Sequence, residues 1–339
     1  MTDYHYIGLD VHKKIIAYCI KDQTGEIVKE GNLAANRRTL AEWVKGLYHP
    51  WAGAMEATLF TGWIYDFLLP HADELKVGHP AMLKAICASK KKNDRIDARK
   101  LADALRCDLL PECYMPPAEV RELRQILRYR NLLVREATRL KNKCSGLLME
   151  AGVEYDKRRL HGKRYFRELL EGLDCVPDSV IDLLWMNEDS LRVFEFNQGL
   201  LVERLEAHPT LSERVRRLRT IAGVGELTAL TWALEIGDPH RFRSAKKASS
   251  YCGLCGDYSM SAGKVKRSPL SKKRNPHLQT ILVEAAKLAP RWNPQLAEVY
   301  EKEVARGSNR NEATLAVARK LVSYLLYVDK SGKDFAPRS

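Results

Sequence analysis

Residues 115–120, MPPAEV, divide the sequence into two kinds of chain. Two successive prolines fix two φ angles and remove two backbone donors, so regular structure does not run through them. Upstream, short β-branched and aromatic runs alternate with helically spaced ones. DYHYIGLDVH and KIIAYCIKD read as strands, and QTGEIVKEGNL follows through a glycine turn. RRTLAEWVKGLYH and TGWIYDFLLPH have helical spacing, while WAGAMEATLF and ELKVGHP read as further strands. A meander followed by alternating strands and helices predicts a mixed α/β sheet with covered faces. The run from Pro80 to Leu110 is expected to be helical in at least its second half. Downstream of the prolines, charged helical sequence dominates. Leu123, Ile126, Leu127, Leu133 and Val134 recur at helical spacing, which predicts an amphipathic arm without a sustained heptad. A third block ends in the helical runs HLQTILVEAAKLA and NEATLAVARKLVSYLLYV. The expected division is residues 1–115, an acid-bearing α/β domain; 116–205, a helical arm; and 206–339, a mainly α domain.

Lysine and arginine outnumber acidic residues by 56 to 43. A chain this basic points to a polyanionic partner, most often nucleic acid. Eight cysteines are scattered without a regular framework, which fits a reducing compartment. The N-terminal segment lacks a basic-then-apolar signal pattern, and no apolar run reaches membrane-spanning length. The expectation is a soluble, cytoplasmic protein with no membrane partner.

Four carboxylates in the first block are out of place for a plain sheet domain. Strand alternation puts Tyr6, Gly8 and Asp10 on one face and Ile7, Leu9 and Val11 on the other. Asp10 therefore sits mid-strand, where a charge needs a partner or a cation. Glu56 repeats the anomaly within GAMEATLF. In NDRIDARKLADALR, Asp94, Asp97, Ala98, Leu101, Ala104 and Leu105 share a helical face, with Asp103 expected to point to solvent. The pair would also suit the first turn of a helix, where the dipole favours negative charge. Taken together, Asp10, Glu56, Asp94 and Asp97 form a set of hard oxygen ligands suited to Mg²⁺ or Mn²⁺. A mixed sheet with acids on its first strand, a later strand and a final helix resembles the RNase H-like fold of junction resolvases.

Two features of the last block fit phosphate handling. IAGVGELTAL resembles a helix-hairpin-helix turn, in which Gly223 and Gly225 would expose backbone N–H groups to a phosphate. A plain glycine turn between helices fits the same pattern. The stretch RSAKKASSYCGLCGDYSMSAGKVKRSPLSKKRN combines small hydroxyl residues with Lys264, Lys266, Arg267, Lys272, Lys273 and Arg274. Such a segment suits a solvated basic loop that binds phosphate, and a serine within it could attack a phosphodiester once activated. Cys252 and Cys255 lack a second ligand pair, so packed thiols are expected there rather than zinc.

The order of these motifs resembles the DEDD transposases of the insertion-sequence 110 family, RNA-guided recombinases, over nearly the whole chain. YIGLDVHK, AMEAT and KNDRIDARKLA are similar to the family's three acidic motifs, which assigns catalytic roles to Asp10, Glu56, Asp94 and Asp97. The C-terminal segments TIAGVGELTAL, EIGDPHRFRSAKKASSYCGL and SAGKVKRSPLSKKRNPHLQTILVEAA are similar to its transposase domain. Family members carry a catalytic serine after the YxGL segment, and Ser261 fits by spacing. Ala262 follows where glycine is usual, so Ser259 is a second candidate. The resemblance implies DNA strand exchange through a covalent phosphoserine. It also implies a structured noncoding guide RNA that pairs with donor and target DNA. A homo-oligomer, dimer or tetramer, would let one protomer's acids serve another's serine. Two other readings of the residues remain: a metal-dependent resolvase that cleaves with water, and a nucleic-acid binding protein whose acids only cap helices.

Overall fold

The structure, a computed structural model, describes residues 4–86, 93–174, 176–261, 264–271 and 274–336, and of these the backbone alone at 86, 257–259, 261 and 264–269. Two compact units are described, Met1–Ala118 and Glu119–Ser339.

The first unit is built on five strands: β1 (His5–Val11), β2 (Ile15–Lys21), β3 (Ile27–Ala34), β4 (Trp51–Glu56) and β5 (Glu74–Gly78). Their order is β3-β2-β1-β4-β5. β1, β2 and β3 pair antiparallel, while β4 lies parallel to both β1 and β5, so the sheet is mixed as expected. Alternation sorts the two faces. Ile7, Leu9 and Val11 join Ile16, Tyr18, Ile20, Trp51 and Met55 in a core shared with helices α1 (Arg37–Lys45) and α2 (Thr61–Leu68). Two helices, α3 (Pro80–Ile86) and α4 (Asp94–Arg106), follow β5.

The opposite sheet face carries small residues, and this lets α4 lie close against it. Ala17 and Cys19 pack on Ala98, and Ala52 and Ala54 on Leu105. Gly8 marks the closest approach: a Cβ there would lie 1.9 Å from the Ala98 carbonyl oxygen and 2.5 Å from the Ala102 nitrogen. Ion pairs then fix the helix along its length. Arg99 donates to both carboxylate oxygens of Glu30 at 2.7 Å, and Arg95 pairs with the same carboxylate. Hydrogen bonds from Arg99 and Arg95 hold the Glu30 carboxyl down at about 2. Asp103 does not simply face solvent as expected from helical phase. It accepts from the buried Lys21 ammonium at 2.7 and 2.8 Å, because β2 passes beneath that turn of the helix.

The second unit is mostly helical. Its helices are α5 (Ala118–Glu150), α6 (Lys163–Glu171), α7 (Asp178–Glu206), α8 (Pro209–Arg219), α9 (Glu226–Ile236), α10 (Ala245–Tyr251), α11 (Pro276–Leu288), α12 (Pro294–Ala305) and α13 (Arg310–Ser331). Every residue of α9 from Thr228 to Ile236 is buried, so it is the central helix of the core. Leu278 and Leu282 of α11 and Leu321, Val322 and Leu325 of α13 share that core. Leu123 and Leu127 bring the start of α5 into it. Farther along, α5 and α7 run antiparallel, joined by Lys141–Glu195 at 3.1 Å. Their far end has a separate small core of Cys144, Leu147, Leu148, Leu160, Phe166, Leu170 and Leu184.

Between α10 and α11 the chain forms β6 (Gly256–Ser261) and β7 (Lys264–Leu270), paired antiparallel. This replaces the solvated loop expected from the sequence: ladder hydrogen bonds hold the backbone despite its weak apolar pattern. Among the described residues, no helix is long and apolar enough to cross a membrane.

Candidate active site

Asp10 and Glu56 each lie one residue beyond the paired Leu9 and Met55 on neighbouring parallel strands. Leu9 and Met55 point into the α1/α2 core, so alternation turns both acids toward the α4 face. Asn93 caps α4 by accepting from the Arg95 N–H, and Asp94 and Asp97 occupy the first turn. The small-residue face that draws α4 onto β1 thus delivers Asp94 to the end of the strand carrying Asp10.

A third side chain joins them that sequence spacing did not identify. His12 lies just beyond β1, in the turn closed by its N–H donating to the Ile15 carbonyl at 2.9 Å. Its Nε2 is 3.2 Å from Asp10 Oδ2 and 3.5 Å from Asp94 Oδ1. Among the described residues, Asp10, His12 and Asp94 are a group whose ligand atoms all lie within 4.8 Å of one another. Glu56 and Asp97 are not members of that group. Asp97 sits nearly one turn further along α4, 3.8 Å from the Lys100 ammonium.

The group runs from dry to wet. The Asp10 side chain is 13% exposed, His12 49% and Asp94 56%. Burial pushes the Asp10 carboxyl above its ordinary range; His12 opposes this, and Asp94 and Asp97 add repulsion. A cation would relieve both the burial and the repulsion. The spacing also fits one. Octahedral ligands about 2.1 Å from a metal stand about 3 Å apart along each edge. The His12 separations of 3.2 and 3.5 Å are close to such edges. The carboxylates of this site therefore suit the divalent cation that their chemistry implies.

The predicted nucleophile lies in the second unit. Ser261 pairs with Lys264 at the end of β6, and Ser259 pairs with Lys266. Arg267 faces Tyr258 across the same ladder. Lys272 and Lys273 lie outside the described residues. Arg274 is described: its guanidinium donates to the Ser271 carbonyl at 2.9 Å.

The strand pair is fixed at its base. The Ser271 N–H donates to the Cys255 carbonyl at 3.1 Å, and the Asn275 N–H to the Tyr251 carbonyl at 3.2 Å. Gly253 has φ +73°, and a Cβ there would meet the Arg274 side chain at 2.5 Å. Beneath this base lies Glu235, a completely buried carboxylate on α9. Arg128 of α5 donates to both of its oxygens at 2.8 Å, and the Asn275 amide adds a bond of 2.7 Å. Burial pushes the Glu235 carboxyl up, but Arg128, Asn275 and Arg124 outweigh it and hold it below its ordinary value. Cys252 is fully buried, and burial pushes its thiol up to about 12, in keeping with a packed thiol.

The glycine turn joins α8 to α9. Gly223 has φ +92°, and a Cβ on it would lie 2.7 Å from that of Ala289. Its need for glycine therefore has a complete packing explanation. Gly225 caps α9 with extended backbone and has open space around its Cα.

A family model for DEDD-type transposases of the IS110 kind matches residues 7–152, and a second, described as transposase IS116/IS110/IS902 family, matches 215–301. The transposase for insertion sequence element IS1111A of Coxiella burnetii is 26% identical over 335 residues, covering 94% of this chain and 88% of that protein. The transposase for IS1328 of Yersinia enterocolitica is 24% identical over 285 residues, covering 80% and 82%. A Sinorhizobium fredii protein described as a transposase is 26% identical over 337 residues, covering 96% and 82%.

Proposed function

This chain belongs to the IS110/IS116 family of transposases, and from that premise we propose that it moves an insertion sequence by exchanging DNA strands under the guidance of a structured noncoding RNA. The reading rests on one observation above others: Asp10 and Asp94 converge across β1 and α4, inside the segment matched by the DEDD family model. The mixed sheet, with acids on its first strand, a parallel neighbour and a covering helix, supports an RNase H-like domain. Asp10, Glu56, Asp94 and Asp97 would hold Mg²⁺ or Mn²⁺. Bound there, the cation would polarise the reacting phosphate.

Ser261 is the proposed nucleophile, with Ser259 as its alternative. Its Oγ forms a bond to phosphorus as the P–O bond to the departing strand breaks. The strand leaves as a hydroxyl, regaining the proton that serine loses. Lys264, Lys266, Arg267, Lys272, Lys273 and Arg274 would neutralise neighbouring phosphates, and the α9 N-terminus at Gly223–Gly225 would contact backbone. The arm, residues 116–205, supports a homo-oligomer through its exposed apolar side chains. Met186, Val193 and Phe196 on α7 are 64%, 56% and 66% exposed and fall on one helical face.

The experiment is detection of protein-linked DNA on a denaturing gel, followed by mapping of the attached residue. Wild type with Mg²⁺ and guide RNA should form the adduct, and Ser261→Ala should bind nucleic acid without forming it. Strand exchange by a Ser259→Ala/Ser261→Ala double variant would refute the serine mechanism and favour a water-using resolvase.

A further inference from the structure

We infer that His12 is a nitrogen ligand of the metal site and makes that site select Mn²⁺ over Mg²⁺; this rests on the reading of Asp10 and Asp94 as metal ligands. Three observations support it. The imidazole Nε2 is directed at both carboxylates, at 3.2 and 3.5 Å, separations close to those between neighbouring ligands of one ion. The backbone places it there independently of those contacts, since the His12 N–H is tied to Ile15 and the Lys14 carbonyl accepts from Ala35. The ring is also half exposed. Burial of the ring therefore does not account for its approach to the two carboxylates.

The consequence follows from ligand chemistry. Carboxylates and water serve Mg²⁺ and Mn²⁺ alike, whereas imidazole is a softer donor that transition metals accept more readily. A purely carboxylate site discriminates weakly between the two ions. A site with one nitrogen among its oxygens favours Mn²⁺. Asp10 is the buried anchor, Asp94 the exposed second carboxylate, and His12 the selecting group.

The test uses untagged full-length protein and Mn²⁺ alone, with electron spin echo envelope modulation reading ¹⁴N coupling to the bound ion. Wild type should show nitrogen modulation, and His12→Gln should lose it. In parallel titrations, Mn²⁺ affinity of His12→Gln should fall about tenfold or more while Mg²⁺ affinity changes little. Asp10→Asn should lose binding of both ions. Mn²⁺ bound in an Asp10-dependent way but without nitrogen modulation would overturn the inference and leave the carboxylate site standing; an imidazolium that merely bridges two carboxylates gives that result. Failure of wild type to bind Mn²⁺ at all would overturn the carboxylate site together with the inference. The wild-type spectrum is decisive by itself, so a poorly folded variant does not rescue the idea.

Discussion

Asp10 and Glu235 are carboxylates set into the interiors of different units, and their surroundings treat them in opposite ways. Glu235 is fully buried, receives two bonds from Arg128 and one from Asn275, and is held below its ordinary pKa. Asp10 is nearly as buried, but burial raises its pKa, and its close companions are a histidine and further acids. One carboxylate is saturated within the chain. The other has capacity left over and faces like charge. A buried acid is common to both, so burial alone does not mark a reactive site; what distinguishes Asp10 is the compensation its unit does not supply.

The sharpest way to break this comparison is Asp10→Asn. If Asp10 holds the cation, Mg²⁺-dependent strand cleavage should fall about a thousandfold or more, the equivalent of several kcal/mol. Stability should move the other way. A carboxyl whose folded pKa is raised favours the folded state when protonated and costs stability once pH rises through that pKa. The neutral amide should therefore melt no lower than wild type at neutral pH without metal. A melting point several degrees lower would mean that Asp10 is a structural group like Glu235.

Gly8→Ala tests how far the open carboxylate depends on the approach of α4. The added Cβ meets backbone, not a flexible side chain, so α4 must shift. The expected cost is about 3 kcal/mol in urea unfolding, the upper part of the overpacking range. Metal affinity should weaken with it as Asp94 moves from Asp10. Gly146→Ala, inside α5 with nothing within 4 Å, is the control and should cost nothing, since alanine favours the helix.

Arg128→Ala tests the saturated side. Stripping a fully buried pair of one partner costs about 3–5 kcal/mol. Arg128 is half exposed and Asn275 remains, so about 2 kcal/mol is expected here. Glu235→Gln in the same background should recover part of that loss, because the stranded charge is gone.

The smallest effect is the acid response. Glu30, held down at about 2, contributes stability above about pH 4.5 that is lost as pH falls toward 2, and the lowered Glu235 acts in the same direction. Arg99→Gln should flatten the acid slope of melting temperature against pH; an unchanged slope would remove Glu30 from the account.

The contrast also marks how much could be read from residue order. Asp10 was legible because a charge in the middle of YIGLDV violates strand alternation, and Asp94 because helical phase carries it onto the Ala98–Leu101 stripe. The mixed sheet followed from the same alternation. Glu235, in TALTWALEIGD, violates its surroundings just as plainly, but its partner Arg128 is 107 residues away and no local rule links them. Lys21 and Asp103 are 82 residues apart and defeated the expectation in the same way. His12 gave no signal because a polar residue in a turn is unremarkable until the helix arrives above it. The β6–β7 pair stayed hidden because GDYSMS and KVKRSPL carry little apolar alternation, a composition equally at home in an unpaired loop.

The small core at the far end of α5 and α7 has a mechanical consequence. α5 is 33 residues long, so it spans about 50 Å as an unbroken rod. Two antiparallel rods locked at both ends act as a gauge whose reach is counted in residues. Lengthening one rod alone would rotate its apolar stripe by about 100° per added residue and unseat the end core. Matched additions of about seven residues to both would keep the stripes facing and extend the reach by about 10 Å. The length of the pair can therefore change in steps of two turns while the two ends stay as they are.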